Sequence, residues 1–505
     1  MAHPSETFSA EIKSPGSDVA RFLPVLLILF VGSGCAALIY EIVWYQLLQL
    51  AIGSTSVSMG LLLATFMGGL CIGSAGLPRL RNVKMHPLRL YALIEAGIAV
   101  FGLLVLVLVP LIDRLYFAAA GYGLLDMLLR GIVAAICLMP PTILMGASLP
   151  AASRWIKSGG LGASWWGLLY GGNTLGAVFG CLLAGFYLLR VYNMAAATFA
   201  AVAFNLVVAG VSYALSLRTP VEVDAGVHDE AAPIEAAHES TPASRSKIHL
   251  VIAISGASAL GAEVVWTRLM GYMLGSTVYV FSIILAVFLI GLGIGSTAGA
   301  WISRTVRPRL ALGWCQVLLT LGIAWTAFMI ANSLPYWPID TMLSQSPWYT
   351  FQLDMARCLW AILPPAILWG ASFPLALAAV ATPGVDSAKL VGGVYAANTL
   401  GAIVGALGVS LILIPQIGTQ QSQRVLLALS IVSALVALAP YIKERSSTAV
   451  SVILPAWMVV AVLLLWNLNA VPGELIAYGR RMPSDVGQSE LLNTAEGINS
   501  SVAIS

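Results

Sequence analysis

The chain has 505 residues, of which 59% are hydrophobic and only 9% are charged, and its mean hydropathy is +0.90. Soluble domains carry about 25% charged residues, so this composition argues against an ordinary soluble enzyme and indicates a membrane protein. The formal net charge is +3 and no basic run is present, which argues against nucleic acid as a partner. The expected partner is therefore a lipid bilayer.

Cysteines and histidines give no sign of a metal site. The six cysteines stand singly in apolar segments, and the five histidines lie near predicted loops or termini. No CxxC spacing is present, so the sequence predicts neither a zinc site nor a disulfide framework. Nucleophile-elbow, Walker and metalloprotease motifs are absent as well, and we expect no cofactor.

Hydropathy predicts thirteen membrane-spanning helices, because many apolar stretches approach the roughly 20 residues that a bilayer requires. These spans define six regions. They are an N-terminal tail at 1–21, a first six-helix repeat at 22–217, a linker at 218–247, a second six-helix repeat at 248–441, an extra span at 450–469 and a polar tail at 470–505. The linker is acidic and rich in alanine, proline and serine, which predicts disorder.

The division into two halves rests on an internal repeat. Residues 31–74 match 253–296 without a gap, so that Glu41 and Glu263 lie 222 positions apart. The blocks PPTILMGASLP and YGGNTLGAVFG of the first half recur in the second as PPAILWGASFP and YAANTLGAIVG. A repeat spaced this widely indicates two copies of a whole helical bundle.

Lysine and arginine are concentrated in loops on the N-terminal side, which predicts a cytoplasmic N-terminus in a multi-pass protein of the cell (inner) membrane. Six spans per half place both copies the same way up. Parallel repeats of this kind relate the halves of major-facilitator transporters. The predicted fold is therefore all-α and polytopic, with two parallel six-helix repeats and one extra C-terminal transmembrane helix.

Glu41 and Glu263 lie inside predicted spans, in the outward half of the membrane at about 1.5 Å per residue from the cytoplasmic end. An ionised acid in hydrocarbon is costly, so such residues usually face a bundle interior, a partner or a cavity. We interpret the two acids as a candidate site for a cation such as a polyamine. The alternative is a protonated acid that is hydrogen-bonded to a neighbouring helix.

Trp44 and Trp266 follow the acids by three residues and lie on the same helix face. They are candidates for cation–π contacts, and packing or interfacial anchoring is the simpler interpretation. Arg268 follows Glu263 by five residues and is a candidate charge partner that would neutralise this acid.

Asn173 and Asn398 are amides within predicted spans, in blocks whose glycines lie four residues apart. That spacing is typical of close helix contacts, so these amides are either ligand contacts or links between helices. Tyr170 and Tyr395 precede them by three residues and are candidates for the same hydrogen-bond network.

The paired EIVW and EVVW blocks, the proline blocks and the YxxNTLGA blocks resemble the membrane portion of fused major-facilitator/spermidine synthase proteins, over about 22–470. The resemblance implies that a spermidine synthase-like domain, which binds decarboxylated S-adenosylmethionine, follows the bundle. The tail SELLNTAEGINSSVAIS resembles the opening β-hairpin of that domain, with EGINSSVAIS as its second strand.

No residues match the family's Gly-rich nucleotide loop or its catalytic aspartates, so we expect no aminopropyl transfer by this chain alone. The resemblance implies a polyamine ligand and a spermidine synthase-like domain on a separate chain. Two functions stay open: a module that binds or transports a polyamine or related cationic metabolite, and a non-transporting anchor and assembly platform for a polyamine aminopropyltransferase domain. A transporter needs polar residues around a water-accessible cavity, whereas an anchor would have a dry, packed interface.

Overall fold

A computed structural model describes most of the chain. The described residues are 16–53, 55–77, 85–117, 124–158, 164–219, 242–275, 277–337, 346–381, 387–444, 448–485, 487, 490–497 and 501–504. Most of the predicted linker lies outside the described residues, and so does the stretch for which disorder is predicted. Its last residues are an exception, because a helix already begins at Pro242.

The first half consists of six long helices. They are α1 (Gly16–Ile52), α2 (Thr55–Gly76), α3 (Pro87–Phe117), α4 (Leu124–Ser158), α5 (Ser164–Leu183) and α6 (Met194–Arg218). Helix α5 continues through a π-helical turn, Ala184–Leu188. The side chain of Asn193 caps α6 by accepting a hydrogen bond from the backbone of Ala196 at 2.9 Å.

The second half repeats this order. Its helices are α7 (Pro242–Leu274), α8 (Val278–Thr305), α9 (Pro308–Phe328), α10 (Pro347–Val380), α11 (Ser387–Gly408) and α12 (Ile414–Glu444). Helix α11 continues through a π-helical turn, Val409–Leu413, at the position that matches the π-helical turn of α5. A thirteenth helix, α13 (Thr448–Trp466), follows.

Eleven helical stretches of the described residues are long and apolar enough to cross a bilayer. One stretch, Leu390–Tyr441, has 52 residues and bends at Gly418, whose φ is +75°. It accounts for two crossings, because about 20 residues suffice for one. In α13 the shorter segment Ile453–Trp466 is apolar. The predicted all-α polytopic membrane fold is confirmed.

The helices pack in the same pairs in both halves. In the first half α1 packs on α5 and α6, α2 on α4, and α3 on α4 and α6. In the second half α7 packs on α11 and α12, α8 on α10, and α9 on α10 and α12. Across the interface α2 meets α11 and α5 meets α8, which are equivalent pairs. Two parallel repeats related by a pseudo-twofold axis produce such equivalent pairs.

Small residues allow these close crossings, as expected where lipid provides no hydrophobic drive for helices to associate. A Cβ at Gly176 would overlap the backbone oxygen of Val31, and one at Gly401 would overlap the backbone oxygen of Ala253. The first crossing joins α5 to α1, and the second joins α11 to α7. The glycine blocks of the sequence are therefore packing elements.

The C-terminal segment, 473–504, folds back on the ends of the helices. It contains α14 (Gly473–Tyr478), α15 (Met482–Asp485) and an antiparallel hairpin of β1 (Asn493–Glu496) and β2 (Ser501–Ile504). The hairpin expected from the tail is present, but the stretch assigned to its second strand begins with the last residue of β1 and also contains β2. We call the face that it covers, opposite to the start of α1, the tail side.

Candidate functional site

Glu41 of α1 and Glu263 of α7 lie in the interior, where the halves meet, and we call them the acid pair. Their side chains are 4% and 3% exposed. Oε1 of Glu263 has no hydrogen-bond partner among the described residues. Because a buried acceptor without a donor is costly, this oxygen can be satisfied by a bound cation or by a proton.

Cys181 of α5 and the start of α8 adjoin the acid pair. The thiol of Cys181 is buried, lies within electrostatic range of both carboxyl groups and donates to the backbone oxygen of Ser282 at 3.2 Å. Four helices, α1, α5, α7 and α8, therefore converge on the acids. Two of them belong to each half, so any movement of one half against the other changes the surroundings of both carboxyl groups.

The two tryptophans are packed in the interior. Trp44 is 1% exposed and stacks on Tyr40, with ring centroids 5.4 Å apart. Trp266 is fully buried, and its ring centroid lies 5.5 Å from that of Trp369. These contacts agree with the packing interpretation and argue against interfacial anchoring. A cation–π role for either ring stays a prediction.

Arg268 is not the charge partner of Glu263 here. Its guanidinium donates to the hydroxyl groups of Tyr272 at 2.6 Å and Ser56 at 3.1 Å, and to the C-terminal segment. Among the described residues, no ion pair joins Arg268 to Glu263. Five residues advance a helix by about 500°, so the two side chains point about 140° apart. The interpretation of Arg268 as that partner is wrong for this reason.

Asn173 and Asn398 lie at helix crossings, away from the acid pair. Asn173 packs against Gly34 and Asn398 packs against Gly256, and neither glycine has room for a Cβ. Gly34 precedes Glu41 by seven residues, which is about 10 Å along the helix. These placements agree with the interpretation of the amides as links between helices, and ligand contacts stay a prediction.

Of the two candidate tyrosines, only Tyr395 has a described side chain. Tyr395 is half-buried, and its ring meets Phe373 of α10 edge-on at 6.4 Å between centroids. The side chain of Tyr170 lies outside the described residues. The described structure thus gives Tyr395 a packing contact with α10, and its role in a network with Asn398 stays a prediction.

Two equivalent contacts close the interface on the tail side, and the sequence does not reveal them. Gly60 of α2 packs against Ser410, which lies in the π-helical turn after α11. Gly185, in the π-helical turn after α5, packs against Ser282 of α8. Neither glycine has room for a Cβ. We call these two contacts the Gly–Ser gate, since π-helical turns often mark functional sites.

The interface is looser toward the opposite side. A Cβ at Gly68 would lie 3.7 Å from Ile403, and one at Gly293 would lie 3.7 Å from Thr174, which is ordinary contact distance. On the tail side, a cavity of about 30 Å³ remains between the halves, with Gln49 of α1 in its lining. That volume corresponds to the share of about one water molecule in the liquid. The halves are therefore closed against each other on the tail side.

A third buried acid lies within the first half. Glu95 of α3 is fully buried, and it accepts hydrogen bonds from Ser33 of α1 at 2.7 Å and from Asn205 of α6 at 2.5 Å. Sequence matching overlooks Glu95, because the repeat carries no acid at the equivalent place. The signal available was a lone acid within a predicted span.

The equivalent place in the second half holds a neutral amide. Gln316 of α9 is fully buried, and its Nε2 donates to Ser372 at 2.9 Å and to Ser255 at 3.4 Å. Ser255 matches Ser33 in the repeat.

The described residues contain no group of three histidine, cysteine or acidic side chains that could hold a metal ion.

Comparison with solved structures gives the same architecture. The chain is similar to a bacterial metal transporter (TM-score 0.50, 14% identity, covering 85% of this chain and 99% of that one). The chain has the fold of major-facilitator transporters. A mutant of the nucleoside transporter NupG gives a TM-score of 0.52 at 11% identity, covering 83% of this chain and 99% of that one.

A third neighbour is a bacterial homologue of the human lysosomal transporter Spinster, solved in an inward-facing, unoccupied conformation. It gives a TM-score of 0.50 at 15% identity and covers 91% of this chain and 99% of that one. No family model and no curated protein matches the chain. The resemblance to spermidine synthase fusions gains no support from these comparisons.

Proposed function

We propose that this chain is a membrane transporter of a cationic metabolite, with the acid pair as its central site. The observation that carries the proposal is the placement of Glu41 and Glu263. They occupy equivalent positions of the two repeats and are buried in the interior, although a carboxyl group in a membrane interior is costly. Packing alone does not require two buried acids. A cation that enters between them would account for both.

The proposed transport cycle uses the two halves, 22–217 and 248–441, as the moving units. With the tail side closed at the Gly–Ser gate, a cation would reach the acid pair from the side of the N-terminus. Separation of the gate would then expose the acids to the tail side. The transported cation would neutralise both carboxyl groups, which lowers the cost of carrying them through an occluded state.

A polyamine is the proposed substrate class. It suits two acids because its amines are separated by methylenes. Trp44 and Trp266 lie one turn from the acids, where they could cover these methylenes. We further propose that the protein resides in the cell (inner) membrane with a cytoplasmic N-terminus, as the distribution of lysine and arginine indicates.

The test is spermidine binding to the purified protein, measured by calorimetry and thermal shift. We expect wild type to bind and Glu41→Gln and Glu263→Gln to lose at least about tenfold in affinity, which corresponds to about 1.4 kcal/mol. Glu95→Gln is the matched control, because it removes a buried acid that is not at the interface. Equal binding by all four proteins would show that the acid pair is structural.

An anchor for a polyamine aminopropyltransferase domain is the second candidate, and the packing around the acids favours it. Trp44, Trp266 and Cys181 are almost fully buried, and the cavity on the tail side has room for about one water molecule. The absence of any spermidine response in wild type, together with specific binding of a separately expressed spermidine synthase-like domain, would favour the anchor over the transporter.

A further inference from the structure

We infer that the C-terminal segment is a lid on the tail side that holds Arg268 in its bond to the first half, and that it must release Arg268 before the Gly–Ser gate can separate. This inference deepens the proposed function, since a transporter must open its central site to each side in turn. It rests on three polar anchors and on buried apolar contacts, all of which connect the segment to the ends of the transmembrane helices.

The first anchor is Arg268, which is 7% exposed and lines the small cavity between the halves. Its Nη2 donates to the backbone oxygen of Gly497 at 2.7 Å and to the hydroxyl of Ser501 at 3.0 Å. Its Nη1 donates across the interface to Ser56 of α2. The hydroxyl of Tyr272 lies 2.6 Å from that of Ser501. One guanidinium thus joins the first half, the second half and the lid.

The second anchor is Glu496 at the end of β1. Its carboxylate accepts hydrogen bonds from the backbone nitrogen of Thr419 and from the Thr419 hydroxyl, both at 2.8 Å. Thr419 follows Gly418, at which α12 bends, so it begins the helical stretch after the bend. A carboxylate that accepts at the start of a helix also interacts favourably with the helix dipole.

The third anchor is Arg480, whose Nη2 lies 2.5 Å from Oδ2 of Asp354. Asp354 is fully buried near the start of α10, so this pair is shielded from water on the side of the acid. Leu475 and Met482 of the lid are fully buried in the same apolar core as the transmembrane helices. These contacts hold the lid to the second half.

The lid holds Arg268, which lines a pocket that both halves build. Tyr45 and Gln49 line it from the first half, and Thr267 lines it from the second half. Thr267 is 9% exposed, and its hydroxyl has no partner among the described residues. Arg268 lines this pocket and is held by the lid, so we expect solvent to reach Thr267 more readily once that bond breaks. Solvent access to Thr267 therefore reports whether the lid is in place.

The experiment measures the rate at which a charged methanethiosulfonate reagent modifies Thr267→Cys, relative to the same protein without this cysteine. We expect slow modification with the native lid. Glu496→Gln weakens the second anchor and Ser501→Ala weakens the first, and each should raise the rate at least about tenfold. Asn493→Ser changes the exposed face of the hairpin and is the matched control, so its rate should equal that of the native lid.

Fast modification with the native lid, or equal rates in all folded variants, would overturn the inference. If Glu496→Gln does not fold, Ser501→Ala decides the matter, because it removes only a hydroxyl group. No polyamine is added, so the result is independent of spermidine binding. If the lid opens but the protein binds no cation, the proposed function is refuted and the inference about the lid still stands.

Discussion

The two halves share one set of helix contacts but differ in ionisable chemistry at their interiors. In the first half a carboxyl, Glu95, accepts hydrogen bonds from Ser33 and Asn205. In the second half an amide, Gln316, donates to Ser372 and Ser255 at the equivalent place. The repeat therefore preserves the set of helix contacts, here called the frame, which depends on glycines at the crossings. The polar groups within that frame have diverged.

The largest effect should come from breaking the shared frame. Gly176→Val and Gly401→Val each place a side chain against the backbone of the neighbouring helix, so we expect each to cost about 3 kcal/mol or more. Thermal unfolding in detergent, followed by tryptophan fluorescence, measures the loss. If the frame is equivalent in both halves, the two losses should be similar.

Matched controls exist for these two variants. A Cβ added at Gly171 or Gly392 would meet nothing within 4 Å apart from its own helix backbone and chain neighbours, so valine should be tolerated there. A large loss in Gly171→Val or Gly392→Val would show that valine itself disturbs these helices. A loss in only one of the two crossing variants would contradict the equivalence of the halves.

A smaller effect should separate the two polar sites. Glu95→Leu leaves the buried donors of Ser33 and Asn205 without an acceptor, and we expect it to cost about 2–3 kcal/mol. Gln316→Leu should cost about 1 kcal/mol, because one of its two hydrogen bonds is long and Ser372 also donates to the backbone of Leu368 at 2.9 Å. The same unfolding assay tests both. An equal loss in both variants would remove the distinction.

The smallest effect concerns pH and belongs to the first half alone. Burial lowers the pKa of His86, which precedes α3, and the nearby cation of Arg89 lowers the pKa further, whereas the bond to the backbone oxygen of Thr219 opposes this shift. Because the folded state binds the proton less readily than the unfolded state, His86 contributes stability above its ordinary pKa and loses it as pH falls.

We therefore expect acidification from about pH 7.5 to pH 5 to lower the melting temperature of wild type by about 1–3 °C more than that of His86→Gln. Thermal shift in buffers of equal ionic strength measures the difference. The second half has Arg307 at the equivalent position, immediately before Pro308, and Arg307→Gln should leave the pH dependence unchanged. An equal pH dependence of wild type and His86→Gln would assign the effect to other groups.

The repeat predicts the all-α architecture from sequence, because Glu41 and Glu263 recur without a gap and glycines recur at the crossings. The placement of Arg268 could not be obtained by counting residues alone, since two of its partners, Ser56 on α2 and Ser501 on β2, lie over 200 positions away. The contact of Glu496 with Thr419 is equally remote from any local pattern. The π-helical turns have no local signal, because glycine, phenylalanine and leucine also continue an ordinary helix.

The Gly–Ser gate makes the two halves unlike in one respect that affects protein engineering. The first half supplies both glycines, Gly60 and Gly185, and the second half supplies both serines, Ser282 and Ser410. A chimera built from two first halves would therefore set glycine against glycine and leave gaps at both contacts. One built from two second halves would set serine against serine, where there is no space for a second side chain. Only the heterologous pairing fits, although the halves share one fold.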